Sequence, residues 1–203
     1  MKILLTGFEP FGGDERNPSW EAVEGVSRLP AGVTIIRKKL PVEFFRAADI
    51  LMETMHAERP DAVICAGLAA GRREVSVERV AVNLADARIP DNAGQTPRDE
   101  TLCDAGENAY FATLPIRGIV SALQAEDIPA AISNTAGLFV CNNVMYAALF
   151  YAAAQGRGTL AGFIHLPQLP EQAAEGTPSL PLADDIRALE TAVACTAEFI
   201  SRN

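Results

Sequence analysis

Apolar and polar positions along this chain alternate between two periods. Short runs rich in apolar residues, at 2–6, 33–40, 61–67, 80–83, 110–114, 129–133 and 159–167, read as strands, and those at 2–6 and 61–67, bounded by glycine, as buried ones. Between them lie segments with helical spacing. One runs from Ser19, placed as a cap, to about residue 28, and a second from 42 to about 58, stopping before Pro60. A third covers 116–126, a fourth begins near Cys141 with Val144, Ala147, Ala148, Phe150 and Tyr151, and a fifth closes the chain over 182–201. Residues 68–78 read as a polar connection. The stretch 86–97 is too long and too rich in turn residues for a mere link, so it reads as a functional loop. Alternating strands and helices without a repeat predict an α/β fold. The expectation is a single-domain three-layer α/β/α sandwich over residues 1–203, with a mostly parallel, mixed central sheet and sites at strand carboxyl ends.

Composition narrows the partners. A chain of 203 residues that is 49% hydrophobic can bury one substantial core, and no segment resembles a linker between two. The formal net charge of −9 argues against nucleic acid or an anionic membrane, both of which demand clustered basic surface. The one basic cluster, Arg37-Lys38-Lys39, fits an exposed strand edge. No apolar run approaches membrane-spanning length, and the start is too soon broken for a signal peptide, so a soluble cytoplasmic protein is expected. Cys65, Cys103, Cys141 and Cys195 are scattered without a C-x-x-C pair, which suggests reduced thiols rather than zinc or disulfides. The glycine-rich loop at residues 7–13 lacks the G-x-G-x-x-G spacing, and with lysine only at 2, 38 and 39 there is no P-loop. Phe8 and Phe11 in that loop are core anchors or the walls of a small apolar pocket.

Candidate chemistry concentrates on few residues. Cys141 follows a strand and a turn through Gly137 at the point where a helix begins. Free N–H groups and partial positive charge there favour a thiolate and could steady a negative oxygen. Of the two histidines, His56 sits among charged neighbours and reads as solvated, whereas His165 ends an apolar strand. If the strands before Cys141 and through His165 are parallel, thiol and imidazole emerge on one sheet edge as a nucleophile and its base. A third group would orient the ring, and spacing leaves Glu78, Asp86 and Asn142 all open. Arg88, in the long loop, either faces a developing oxyanion or makes a surface salt bridge. No H-x-x-x-H or His/Cys cluster points to a metal.

Several blocks together resemble one family. They are Thr6-Gly7-Phe8-Glu9-Pro10-Phe11-Gly12-Gly13 with Asn17-Pro18-Ser19-Trp20, Glu78-Arg79-Val80-Ala81-Val82-Asn83, Asp86-Ala87-Arg88-Ile89-Pro90-Asp91-Asn92, Ser133-Asn134-Thr135-Ala136-Gly137 through Val140-Cys141-Asn142, and Gly162-Phe163-Ile164-His165-Leu166-Pro167. In this order they are similar to the pyrrolidone-carboxylate peptidases (pyroglutamyl peptidase type I). The resemblance implies a cysteine exopeptidase that removes N-terminal 5-oxoproline from peptides through a thioester acyl-enzyme. It implies Cys141 as nucleophile, His165 as base and Glu78 as the residue orienting the ring. It further implies that Phe8 and Phe11 hold the lactam, that Asn17, Leu68 and Val140 complete the pocket, and that Arg88 and the Cys141 N–H bind the oxyanion. No metal or cofactor is implied, and the expected assembly is a dimer or tetramer. A neutral flat ring without a free amine suits aromatic faces and a few hydrogen bonds better than an acidic anchor.

The chain departs from that pattern twice. Gly67-Leu68-Ala69-Ala70-Gly71-Arg72 carries leucine where many such proteins carry glutamine, and Asn143 stands where histidine is common. Leu68 removes a hydrogen-bonding group from the expected pocket, so the consequence foreseen is retained activity with a changed KM. Two competing readings are a catalytically impaired binder of pyroglutamyl compounds on the same fold, which Leu68 motivates, and a phosphorylase-like transferase.

Overall fold

The computed structural model describes residues 1–202. In chain order the elements are β1 (Lys2–Phe8), α1 (Pro18–Gly25), β2 (Thr34–Leu40), α2 (Arg46–Glu58), β3 (Ala62–Leu68), β4 (Val75–Glu78), β5 (Val80–Val82), β6 (Ala109–Phe111), α3 (Ile116–Ala125), β7 (Ala130–Ser133), α4 (Val140–Gln155), β8 (Leu160–Leu166) and α5 (Leu182–Arg202). Six strands form one sheet in the order β2-β1-β3-β8-β4-β7, and β5 pairs with β6 in a separate ribbon. β2, β1, β3 and β8 run parallel, β4 is antiparallel to β8, and β7 is parallel to β4. The expected mixed sheet is therefore present. One apolar cluster joins α1, α3 and α5 to one face, and a second joins α2 and α4 to the other, giving the three layers.

The central strands β1, β3 and β8 are buried along nearly their whole length and mostly apolar because a parallel sheet between two helical layers offers no solvent face. β2, at the edge, carries Arg37, Lys38 and Lys39, which blunt it against pairing with another chain. The turn before α4 needs glycine, since Gly137 sits at φ 79°, and α4 itself starts at Val140 with no side chain capping it.

Three local expectations change. The stretch 68–78 is not all connection: Val75–Glu78 is a strand inserted in the sheet, with every residue buried. Its alternation of Val75 and Val77 with Ser76 and Glu78 mimics a half-exposed surface, and only the neighbours on both sides reveal otherwise. Ser19 is not the cap of α1. Asn17 is, accepting from Ser19 N at 3.1 Å with Pro18 in the first turn, while Ser19 Oγ accepts from Phe8 N at 3.0 Å. The helix expected from residue 42 begins only at Arg46. The preceding backbone N–H groups are taken by side chains: Val42 N donates to Glu9 Oε1 at 3.2 Å, Phe44 N to Asp91 Oδ2 at 2.7 Å and Phe45 N to Asn143 Oδ1 at 2.8 Å. Those bonds hold Phe45 at φ 60°, outside helical geometry.

Candidate active site

β1, β3 and β8 end together, and the start of α4 lies over that edge. Gly67 on β3 is the register partner of His165 on β8. A Cβ added to Gly67 would lie 3.0 Å from Cys141 Sγ and 2.7 Å from the Phe163 ring. Glycine is thus what lets the thiol approach the sheet. The Phe163 and His165 rings pack with centroids 4.7 Å apart. The premise that the strands before Cys141 and through His165 are parallel fails, because β7 runs against β8. The connection 134–139 returns the chain, so that α4 starts beside Gly67 and the thiol still meets the carboxyl edge of β3 and β8.

Glu78 and His165 are both buried, and His165 Nδ1 donates to Glu78 Oε1 at 2.7 Å. This bond fixes the tautomer that leaves Nε2 with its lone pair. Of the three orienting groups that spacing left open, only Glu78 makes this contact. Asp86 bonds Arg98 at 3.1 Å, and Asn142 is spent on the backbone of Val82 and Leu84. His56 bonds Tyr151 at 3.1 Å, away from this cluster.

Electrostatics assign states to the cluster. Burial alone would raise the Glu78 carboxyl, but the hydrogen bond and charge of His165, with Ser133 and Arg72 adding, hold it below the usual carboxylate range. His165 is held below the ordinary imidazole value, first by burial and then by the nearby Arg72 charge, against the pull of Glu78. The resting pair is an ionised Glu78 and a neutral His165. The Cys141 thiol is pushed up to about 12 by burial and next by Glu78. Burial and the Glu78 charge therefore oppose the thiolate that the helix start favours. A base must take the proton.

Cys141 opens on a cavity of about 330 Å³ that is also lined by Phe8, Phe11, Asn17, Leu68 and Val140. The expected pocket residues are thus brought together. The Asn17 amide is committed within the wall, since Nδ2 donates to Glu9 O at 2.8 Å and Oδ1 accepts from Ser19. Arg88 stands apart: it is exposed and does not line the cavity. The long loop around it is ordered by Asp91, whose carboxylate accepts from Phe44 N, Ala93 N and Gln95 N, and by Asn92, which bonds Glu9 Oε1 at 2.7 Å and Pro10 O at 3.0 Å. The loop thereby braces the Phe8–Phe11 wall.

Two residues that sequence reasoning did not single out take part. Phe139 stacks near Phe11 at 5.3 Å and against Phe44 at 5.0 Å, closing one side of the cavity. Arg72 Nη1 donates to Glu78 Oε1 at 2.6 Å and Nη2 to Thr135 O at 3.2 Å. Neither had a local signal beyond a hydrophobic or basic residue near a glycine.

Comparison with known proteins agrees over the whole molecule. The family model described as pyroglutamyl peptidase matches residues 1–199. A pyrrolidone-carboxylate peptidase of Streptococcus suis is 47% identical over 201 residues, covering 98% of this chain and 94% of that one. One from Thermococcus kodakarensis is 48% identical, covering 100% and 98%. The crystal structure of pyroglutamyl peptidase I from Bacillus amyloliquefaciens is 43% identical and superposes with a TM-score of 0.92, covering 97% of each chain.

Proposed function

The chain belongs to the pyroglutamyl peptidase family, and from that premise we propose that it hydrolyses the amide bond after an N-terminal pyroglutamyl residue, with Cys141 as nucleophile, His165 as base and Glu78 as orienting carboxylate. The observation that carries the assignment of roles is the buried 2.7 Å bond from His165 to Glu78 beside a thiol that opens on an apolar cavity. The lactam ring lies between Phe8 and Phe11, with Leu68, Asn17 and Val140 around it. His165 Nε2 takes the Sγ proton as sulfur attacks the carbonyl carbon. The same nitrogen returns the proton to the departing amine, leaving a thioester on Cys141. Water, deprotonated by His165, then cleaves the thioester, releasing pyroglutamate and restoring the thiol. The uncapped start of α4 and its first N–H groups suit the oxyanion of each tetrahedral step. The family resemblance adds Arg88 to these donors, although it is exposed and outside the cavity in this structure.

The same reading has the protein acting in the cytoplasm as a homo-oligomer, a dimer or tetramer. Among the described residues no helix is long and apolar enough to cross a membrane.

The test is release of fluorophore from pyroglutamyl-aminomethylcoumarin by the wild type and by Cys141→Ala, each with and without iodoacetamide. Turnover is expected only from untreated wild type. Folded wild type without turnover would sink the peptidase reading in favour of the impaired binder.

A further inference from the structure

Glu78 Oε1 is shared. It accepts from His165 Nδ1 at 2.7 Å and from Arg72 Nη1 at 2.6 Å, while Arg72 Nη2 reaches Thr135 O at 3.2 Å in the connection that leads to Cys141. Arg72 lies outside the elements of the sheet, in the link between β3 and β4, yet it touches the carboxylate of one strand and the loop after another. An arginine on a surface link needs neither contact. Its side chain is only 30% exposed, and the carboxylate that it meets is fully buried.

Charge counting gives the contact a purpose. Proton transfer from Cys141 Sγ to His165 Nε2 replaces a neutral thiol and a neutral ring by a thiolate and an imidazolium. With Glu78 and Arg72 both ionised, the four groups sum to zero before and after transfer. Without Arg72 the cluster would carry one uncompensated negative charge on the fully buried Glu78 carboxylate, which opposes forming the thiolate. A guanidinium also offers two directed donors, so one side chain can fix the Glu78 carboxylate and the Thr135 carbonyl together.

We propose that Arg72 is a positioning residue of this site: it aims Glu78 at His165, ties the loop before Cys141 to that carboxylate, and keeps the cluster neutral when the thiolate–imidazolium pair forms. This rests on the peptidase reading above. The charged groups acting on His165 are Glu78 from β4 and Arg72 from the β3–β4 link; the uncharged Phe163 ring packs on it from its own strand, and the Cys141 thiol lies beside its register partner Gly67. Arg72 is the one cation among them, and its charge also lowers the Cys141 thiol against burial. Removing it moves both groups up, so the acid limb of kcat/KM and the midpoint of thiol alkylation shift to higher pH.

The experiment compares wild type, Arg72→Gln and Arg72→Lys in three readouts. These are kcat and KM against pH on pyroglutamyl-aminomethylcoumarin, the rate of Cys141 alkylation by iodoacetamide against pH, and thermal melting. For Arg72→Gln the expectation is a kcat/KM loss of about 100-fold and an acid limb raised by roughly one pH unit, the alkylation midpoint following it. Arg72→Lys keeps the charge without the fork, so its limb stays at the wild-type position while kcat falls severalfold at unchanged KM. An Arg72→Gln enzyme with lower melting temperature but unmoved pH profiles would make Arg72 a structural brace only and overturn the proposal. If Arg72→Gln does not fold, Arg72→Lys decides alone, and a wild-type kcat in that variant also overturns it. Wild type inactive on the substrate would sink the peptidase reading instead, and the alkylation profiles would still test Arg72.

Discussion

Two carboxyl groups, Glu78 at the end of β4 and Asp185 in the first turns of α5, are equally shut off from solvent, each 0% exposed. Their surroundings differ. Glu78 meets a guanidinium and an imidazole N–H at 2.6 and 2.7 Å and is held ionised. Neither oxygen of Asp185 has a hydrogen-bond partner among the described residues. Burial, with the neighbouring Asp184 charge adding, pushes it up to about 8. Depth alone thus says little about a buried acid. The partners decide whether it is an anion ready to orient a base or a neutral group that must stay protonated.

The two acids oppose each other in pH-dependent stability. Glu78 has a lowered folded value, so its contribution is present above the ordinary carboxylate range and is lost as pH falls through that folded value. Asp185 has a raised one. Between about 4 and about 8 the folded chain keeps a proton that the unfolded chain releases, so its effect is a stability that declines as pH rises. The slope is at most about 1.4 kcal/mol per pH unit and flattens above about 8.

The largest expected effect breaks the comparison at Glu78. Glu78→Gln keeps the shape but leaves Arg72 facing a neutral amide and lets the ring lose its tautomer. A fall in kcat of roughly 10³- to 10⁴-fold with little change in KM is expected from steady-state kinetics. A loss under tenfold would mean that Glu78 does not orient His165. Next comes Asp185→Asn, remote from the site. It should leave kcat/KM unchanged and raise the melting temperature by several degrees at pH 8, the gain shrinking toward zero near pH 4. Melting curves at four pH values check this, and a wild-type/variant difference independent of pH would show that Asp185 is not held protonated. The smallest effect is expected at Leu68, partly exposed to the cavity, where a new polar group finds water or substrate as its partner. Leu68→Gln should change stability by under about 0.5 kcal/mol and KM severalfold at constant kcat. No change in kcat/KM would remove position 68 from the pocket's specificity.

Much of this was legible in order of residues. Strands β1, β3 and β8 announced themselves because both faces are buried, which forces a mostly apolar run. His165 stood out because the chain has two histidines, Cys141 because it starts a helix after a turn, and Phe8 and Phe11 because they sit in a glycine-rich loop after the first strand; the family blocks supplied the choice of Glu78. β4 was missed because Ser76 and Glu78 look solvent-facing, and their burial depends on strands contributed from residues 130–133 and 160–166.

What the sequence determined by itself is local in origin: periodicity, turn glycines, net charge and the small set of reactive side chains. What the tertiary structure decided is everything that depends on a neighbour distant in the chain. The antiparallel insertion of β4, the return of the 134–139 connection, the side chains that stop α2 from starting at residue 42, and the pairing of Arg72 with Glu78 all belong there. So does the protonation of each buried acid and of the Cys141 thiol. These states follow from desolvation and from charges a few ångströms away, and no sequence spacing sets those distances.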